Sequence, residues 1–213
     1  MNKEVAKILL KIKAVKIQPN DPFIYTSGLI SPIYIDNRFV ISFVKERKII
    51  LDYMVELIGK NNLEFDIIAG VATAGIHWAA WLAAYFKKPM IYIRGKKKGH
   101  GRQNQIEGYL EKGKKVLVIE DHISTGGSSI AAIQAVRENG GIVDDCIAIS
   151  TYEFIKAQED FNDIDCNIFT LTNFTTLINT AVDINYINSI DREKVLDWNK
   201  DAPNWAKKYG IYK

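Results

Sequence analysis

The sequence predicts an α/β fold built on an open, mainly parallel sheet flanked by helices. Short apolar runs of strand length alternate along the chain with longer stretches of helical period. Strands separated in this way by helices connect as parallel crossovers, and ligands then sit beyond the carboxyl ends of the strands. The chain has 213 residues, 47% of them hydrophobic, which suits one domain with a small appendage.

Taken in order, residues 2–14 place Val5, Ile8, Leu9 and Ile12 on one helical stripe. Residues 23–37 follow Pro22 and hold a second proline, Pro32, a Ser-Gly pair and alternating aromatics, the mark of turns and short strands. A second helix is expected over 44–58, with Ile49, Ile50, Tyr53, Met54 and Leu57 at three-to-four spacing. The core follows, with strands over 66–70, 90–93, 115–119 and 143–150 and a possible fifth over 167–171. Helices are expected between them over 75–86, 128–138 and 153–160, the second stopped by Gly140 and Gly141. The tail from 191 to 208 reads as helical. No internal repeat or low-complexity linker interrupts the pattern.

Charge excludes some classes of partner. Charged residues make up 25% and the formal net charge is +3, too mild for a nucleic-acid binder with its usual basic stripe. The most apolar stretch, 78–86, is far shorter than the ~20 residues that span a bilayer. The first sixteen residues are charged throughout and lack the apolar core of an export signal. Cys146 and Cys166 stand alone in apolar surroundings, with neither disulfide-framework nor zinc-ligand spacing. Buried thiols and a reducing cytoplasm are the expectation.

The most informative segment is Val116-Leu-Val-Ile-Glu-Asp-His-Ile-Ser-Thr-Gly-Gly-Ser-Ser129. Four apolar residues run straight into two carboxylates, Glu120 and Asp121, and a Ser/Thr/Gly loop then opens a helix. Gly126 and Gly127 let backbone amides approach an anion, and the helix's first turn favours a phosphate there. The hydroxyls of Ser124, Thr125 and Ser128 add donors. When ionised, the acids are acceptors only, which suits the 2′- and 3′-hydroxyls of a ribose. Helix capping alone would not place two acids side by side, where repulsion and desolvation are costly. A phosphate recognised beside a sugar diol describes ribose 5-phosphate. The segment resembles the signature with which type I phosphoribosyltransferases bind phosphoribosyl pyrophosphate (PRPP).

Three further segments resemble the orotate phosphoribosyltransferases within that group. Residues 23–38, Phe-Ile-Tyr-Thr-Ser-Gly-Leu-Ile-Ser-Pro-Ile-Tyr-Ile-Asp-Asn-Arg, are similar to the hood that lies over the base. Val71-Ala-Thr-Ala-Gly75 is similar to the pyrophosphate loop, with Ala74 where some members carry lysine. Residues 94–102, Arg-Gly-Lys-Lys-Lys-Gly-His-Gly-Arg, resemble the catalytic loop through Arg94, Lys98, His100 and Gly101. Many members have lysine at the second position of this loop, where this chain has Gly95, so Lys96 and Lys97 are both open as its replacement. The matching segments run from about residue 14 to 151. Two superficial motifs carry nothing: residues 108–115 imitate a P-loop but precede their strand, and residues 99–104 lack the third glycine of a dinucleotide fingerprint.

The resemblance implies one phosphoribosyltransferase domain over 1–213, with a hood over roughly 1–40 plus part of the C-terminus and a core over roughly 60–172. It implies transfer of ribose 5-phosphate from PRPP to orotate, giving orotidine 5′-monophosphate and pyrophosphate in pyrimidine biosynthesis. Lys98 and Asp121 are then the catalytic residues, with Lys98 and His100 both open as the proton donor to pyrophosphate. PRPP would be held by Arg94, Lys98, His100, Glu120, Asp121, His122, Ile123, Ser124, Thr125, Gly126, Gly127 and Ser128, and orotate by Ser124. Mg²⁺ would arrive on PRPP without a dedicated set of protein ligands. The catalytic loop would reach a neighbouring subunit, implying a homodimer with shared sites. A purine-base sister enzyme and a PRPP-sensing regulator are the competing possibilities. The hood disfavours the first, and the second would need an added nucleic-acid-binding domain.

Overall fold

A computed structural model describes residues 1–95 and 105–211. The chain begins with helix α1 (Asn2–Lys11), whose inner face buries Val5, Ala6, Leu9 and Leu10. It stops sooner than its apolar stripe, because Lys13 takes a positive φ of 60° and turns the chain into β1 (Val15–Ile17). Next come β2 (Phe23–Ile24), β3 (Ile30–Ser31) and β4 (Ile33–Ile35). β1 pairs antiparallel with β4, and β2 with β3, giving the small hood. A 3₁₀ turn (Asn37–Ser42) leads into α2 (Val44–Lys60).

The core contains β5 (Ile67–Val71), α3 (Gly75–Phe86), β6 (Met90–Ile93), β7 (Ile106–Glu107), β8 (Val116–Ile119), β9 (His122–Ile123) and α4 (Gly127–Glu138). β10 (Asp145–Ala148), β11 (Ser150–Thr151), α5 (Ile155–Asn162) and β12 (Asn167–Thr170) complete it. The main sheet has the order β12-β10-β8-β5-β6-β7. All neighbours are parallel except β7, which lies antiparallel to β6. The five expected strands are therefore present, with a two-residue edge strand beyond them.

Alternate residues of each central strand serve opposite layers, as the pleat requires. Leu117 and Ile119 pack with α1, α2, α3 and the C-terminal segment. Val116 and Val118 pack with α4 and α5 residues such as Ile133, Val136 and Phe161. β5, β8 and most of β10 are buried on both faces, which accounts for their unbroken apolar sequences.

The fourth strand differs from its expected span over 143–150. It leaves the sheet after Ala148, because Asp121 and Ile149 bend out together, the amide of Ile149 donating to the Asp121 carbonyl at 3.2 Å. Beyond that bend, β9 and β11 form a separate parallel pair. The next helix starts at Ile155 rather than 153, since Glu153 has a positive φ of 59°. A helix not expected from the sequence, α6 (Phe174–Asp183), is capped by Asn173, whose side chain accepts from the Thr176 amide at 2.8 Å. The helical tail is broken into α7 (Ser189–Leu196), a 3₁₀ turn (Asp197–Asn199) and α8 (Ala202–Lys208), which begins with Pro203 in its first turn.

The last segment returns to the hood. The Trp198 indole is fully buried, donates to the Ile30 carbonyl at 3.1 Å and packs against Tyr25, Tyr152, Phe154 and Phe174. Trp205 is also buried and donates to the Lys194 carbonyl at 2.7 Å. Both tryptophans are core residues with their polar ends satisfied, as buried indoles require.

Candidate active site at the carboxyl ends of the central strands

β8 delivers Glu120 and Asp121 to the carboxyl edge of the sheet, where two helices begin. Neither α3 nor α4 has a side-chain cap. The Ile76 amide of α3 donates to the Thr73 carbonyl at 3.3 Å, the other opening amides lack a side-chain acceptor, and each helix dipole favours an anion at that end.

Close packing brings the first of these helices onto the acids. A Cβ on Gly75 would lie 2.3 Å from the Ile119 carbonyl oxygen and 3.4 Å from the Glu120 Cα. Only glycine lets the start of α3 settle against the end of β8. The loop before it, Val71–Ala74, contains a cis peptide between Ala72 and Thr73. The second helix follows the acids along the chain. Gly126 has a φ of +84°, and a Cβ there would meet the Phe161 ring at 2.9 Å. That left-handed residue turns the chain from β9 into α4.

The two acids face different surroundings. Glu120 is 5% exposed, and its carboxyl accepts from the Asp121 amide at 3.0 Å, the Ser129 hydroxyl at 3.2 Å and the Ser128 hydroxyl at 3.5 Å. Burial, and then the neighbouring Asp121 charge, push its pKa well above the usual carboxylate range. Asp121 is half-buried, and its pKa is also raised, chiefly by burial. In this conformation Asp121 is the acid nearer the open side, while Glu120 is turned onto the helix start.

The remaining loop residues divide in the same way. Thr125, Gly127 and Ser128 are exposed, and Ser124 is half-buried. Ile123 packs its side chain into the core. The His122 ring stands edge-on to Tyr152 at 4.3 Å, with Nδ1 2.9 Å from the Ser150 hydroxyl. Burial lowers its pKa to about 3, so the ring is neutral. His122 and Ile123 can therefore offer an incoming ligand their backbone more readily than their side chains.

Arg94 lies at the end of β6, where its amide donates to the Gln105 carbonyl at 2.9 Å and its guanidinium contacts Glu107 at 3.3 Å. Lys96, Lys97, Lys98, His100 and Gly101 lie outside the described residues. The hood stands over the same edge. The Tyr25 hydroxyl meets the Tyr152 hydroxyl at 2.6 Å, and the Asn37 carboxamide donates to the Asp121 carbonyl at 2.7 Å. A cavity of about 350 Å³ brings together Leu29 of the hood, Thr125 of the loop, Phe154 and Ile155 of the α5 start, and Asn199–Pro203. The C-terminal contribution to this cleft has no signature in the sequence, because those residues are far from the loop along the chain. Among the described residues, no three His, Cys, Asp or Glu side chains converge as a metal cage. None of the helices described is long and apolar enough to cross a membrane.

A strand-end acid pair between two uncapped helix starts sets acceptors for a sugar diol beside donors for phosphate. The model of the phosphoribosyl transferase domain family matches residues 45–169. The orotate phosphoribosyltransferase of Coxiella burnetii is 52% identical over 202 residues, covering 95% of this chain and 97% of that protein. The crystal structure of orotate phosphoribosyltransferase from Aeropyrum pernix superposes with a TM-score of 0.75 at 30% identity, covering 86% of this chain and 99% of that one. The fold is also that of the Mycobacterium tuberculosis orotate phosphoribosyltransferase solved in complex with PRPP, with a TM-score of 0.64 at 20% identity over 82% of this chain and 97% of that one. The chain belongs to the phosphoribosyltransferases and, within them, to the orotate phosphoribosyltransferase family.

Proposed function

We propose that the chain transfers the 5-phosphoribosyl group of PRPP to orotate, releasing pyrophosphate and forming orotidine 5′-monophosphate. The observation that carries this is the placement of Glu120 and Asp121 between two uncapped helix starts. PRPP has a phosphate at each end and a diol between, and the site offers complementary groups in that order. The amides opening α4, with Thr125 and Ser128, would take the 5-phosphate, and the start of α3 would take the pyrophosphate.

In the reaction a ring nitrogen of orotate gives up its proton and bonds to the anomeric carbon as the bond to pyrophosphate breaks, so positive charge develops on the sugar and negative charge on the leaving group. Asp121 would accept from the ribose hydroxyls and balance the sugar's charge. Glu120 would join it by exchanging its Ser128 and Ser129 contacts for a sugar hydroxyl. Arg94, Lys98 and His100 would stabilise the departing pyrophosphate, and Lys98 or His100 would supply it a proton. Ser124 would contact orotate beneath the hood.

Mg²⁺ would ride on the diphosphate oxygens, neutralising their charge, with few protein ligands. We read the whole chain as one catalytic unit in which hood and C-terminal segment roof the core. A homodimer sharing its catalytic loops, and a cytoplasmic location, belong to the same proposal.

The test is direct. Orotate absorbance should fall when PRPP and magnesium are added to the purified protein, and adenine, guanine or hypoxanthine should not replace orotate. Transfer to a purine in preference to orotate would reject the assignment.

A further inference from the structure

Asn37 sits at the first position of the 3₁₀ turn that joins hood to core, and it is completely buried. Its carboxamide nitrogen uses both hydrogens on partners distant in sequence. One goes to the Asp121 carbonyl at 2.7 Å and the other to the Ser150 hydroxyl at 2.9 Å. The same Ser150 hydroxyl lies 2.9 Å from the Nδ1 of His122, the residue after Asp121. The Asp121 carbonyl has the Ile149 amide as a further donor at 3.2 Å, and the preceding amide, that of Glu120, donates to the Ile147 carbonyl at 2.9 Å. The stretch from Glu120 to His122 is therefore held by β10 and β11 on one side and by the hood, through one side chain, on the other.

We infer that Asn37 is a positioning residue for the transfer reaction. By fixing the carbonyl of Asp121 it fixes the peptide plane from which the Asp121 side chain departs, and so the direction in which that carboxylate meets the sugar. The inference rests on the role proposed above for Asp121.

The neighbouring residue reinforces the grip. Arg38 is held by Asp36 through two hydrogen bonds, at 2.7 and 2.8 Å, and the Asp36 side chain also accepts from the Arg38 amide at 3.2 Å. Asn37 is thus fixed between two residues locked to each other, a rigid mount rather than a free loop. A second tie from the hood, Tyr25 to Tyr152, reaches neither acid. Of these two ties, Asn37 alone links the segment that covers the base to the backbone that presents the catalytic carboxylate. Asn37 and Ser150 are completely buried and Asp121 is half-buried, and a donor lost from such a site is not replaced cheaply by water. A misplacement of about 1 Å at a reacting centre can cost up to roughly 10²-fold in rate.

A double-mutant cycle on kcat tests this, using Asn37→Ala, Asp121→Asn and the pair together. Asn37→Ala is expected to lower kcat by about tenfold or more, with the KM for orotate changed less than about threefold. The double variant should be no slower than Asp121→Asn alone, since an amide acting through Asp121 has nothing left to position. A purely structural Asn37 would lower stability and multiply its effect with that of Asp121→Asn. Asn37→Leu, close to asparagine in shape, repeats the cycle if the alanine variant melts below the assay temperature. Multiplying effects beside a slow Asp121→Asn enzyme would overturn the inference alone. An Asp121→Asn enzyme with unchanged kcat would overturn the sugar-binding role of Asp121, and the inference with it.

Discussion

Gly75→Ala is the substitution whose consequence can be worked most fully from the structure. The added methyl would sit 2.3 Å from the Ile119 carbonyl oxygen and 3.2 Å from the carbon of that carbonyl. An ordinary contact needs the gap to open by about 1 Å, and both sides are backbone with no rotamer to turn away. Either the start of α3 lifts or the end of β8 is pushed aside, and Glu120 follows directly on β8. Overpacking of this kind costs about 1–3 kcal/mol of stability. The larger effect should be catalytic, because a shift of about 1 Å where the acids and the helix start meet can cost roughly 10²-fold in kcat/KM. Urea denaturation and steady-state assays on the same preparation measure both. A variant with native kcat/KM and an unchanged denaturation midpoint would refute the claim that this contact sets the site.

Two further perturbations have defined outcomes. Glu120→Gln tests the buried acid: because its pKa is raised in the folded state, the unfolded chain releases the proton first, and stability falls as pH climbs from the ordinary carboxylate range, about 4.5, towards the raised value. The melting-temperature advantage of the glutamine variant over the native chain should therefore be absent near pH 4 and grow towards pH 8, and a constant difference across that range would show that Glu120 titrates in the folded protein as it does in the unfolded chain. Lys98→Ala should slow the chemical step by about 10²–10³ while ribose 5-phosphate binds nearly as before; a single-turnover rate equal to the native one would remove Lys98 from catalysis.

Legibility in the sequence followed burial and chain proximity. β5, β8 and β10 are enclosed on both faces, so their apolar runs stand out without any knowledge of partners. β7 has two residues, and its strand character comes from pairing with Tyr92 and Ile93 rather than from its own composition. α6 was hidden by its threonines and β-branched residues, which are weak helix formers. The available signal was Asn173 ahead of Phe174, Leu177, Ile178 and Ala181, a cap followed by a buried helical stripe.

The site divides along the same line. The acid pair, Gly126 and the helix start lie within ten residues of one another, and their chemistry could be read as a unit. Asn37 could not be assigned a role, because its partners are 84 and 113 positions away and nothing in Asp36-Asn37-Arg38 announces them. The inward turn of Glu120 was equally hidden. Two adjacent acids look alike in sequence, and it is the hydroxyl of Ser129, nine residues on in the first turn of α4, that separates them.

The central claim is that the sugar diol and the 5-phosphate are gripped side by side at the end of β8, and a crystal soaked with ribose 5-phosphate measures this directly. The phosphate should rest on the amides of Gly127, Ser128 and Ser129, with the 2′- and 3′-hydroxyls on Asp121. A phosphate bound elsewhere, or hydroxyls that leave Asp121 untouched, would contradict the account.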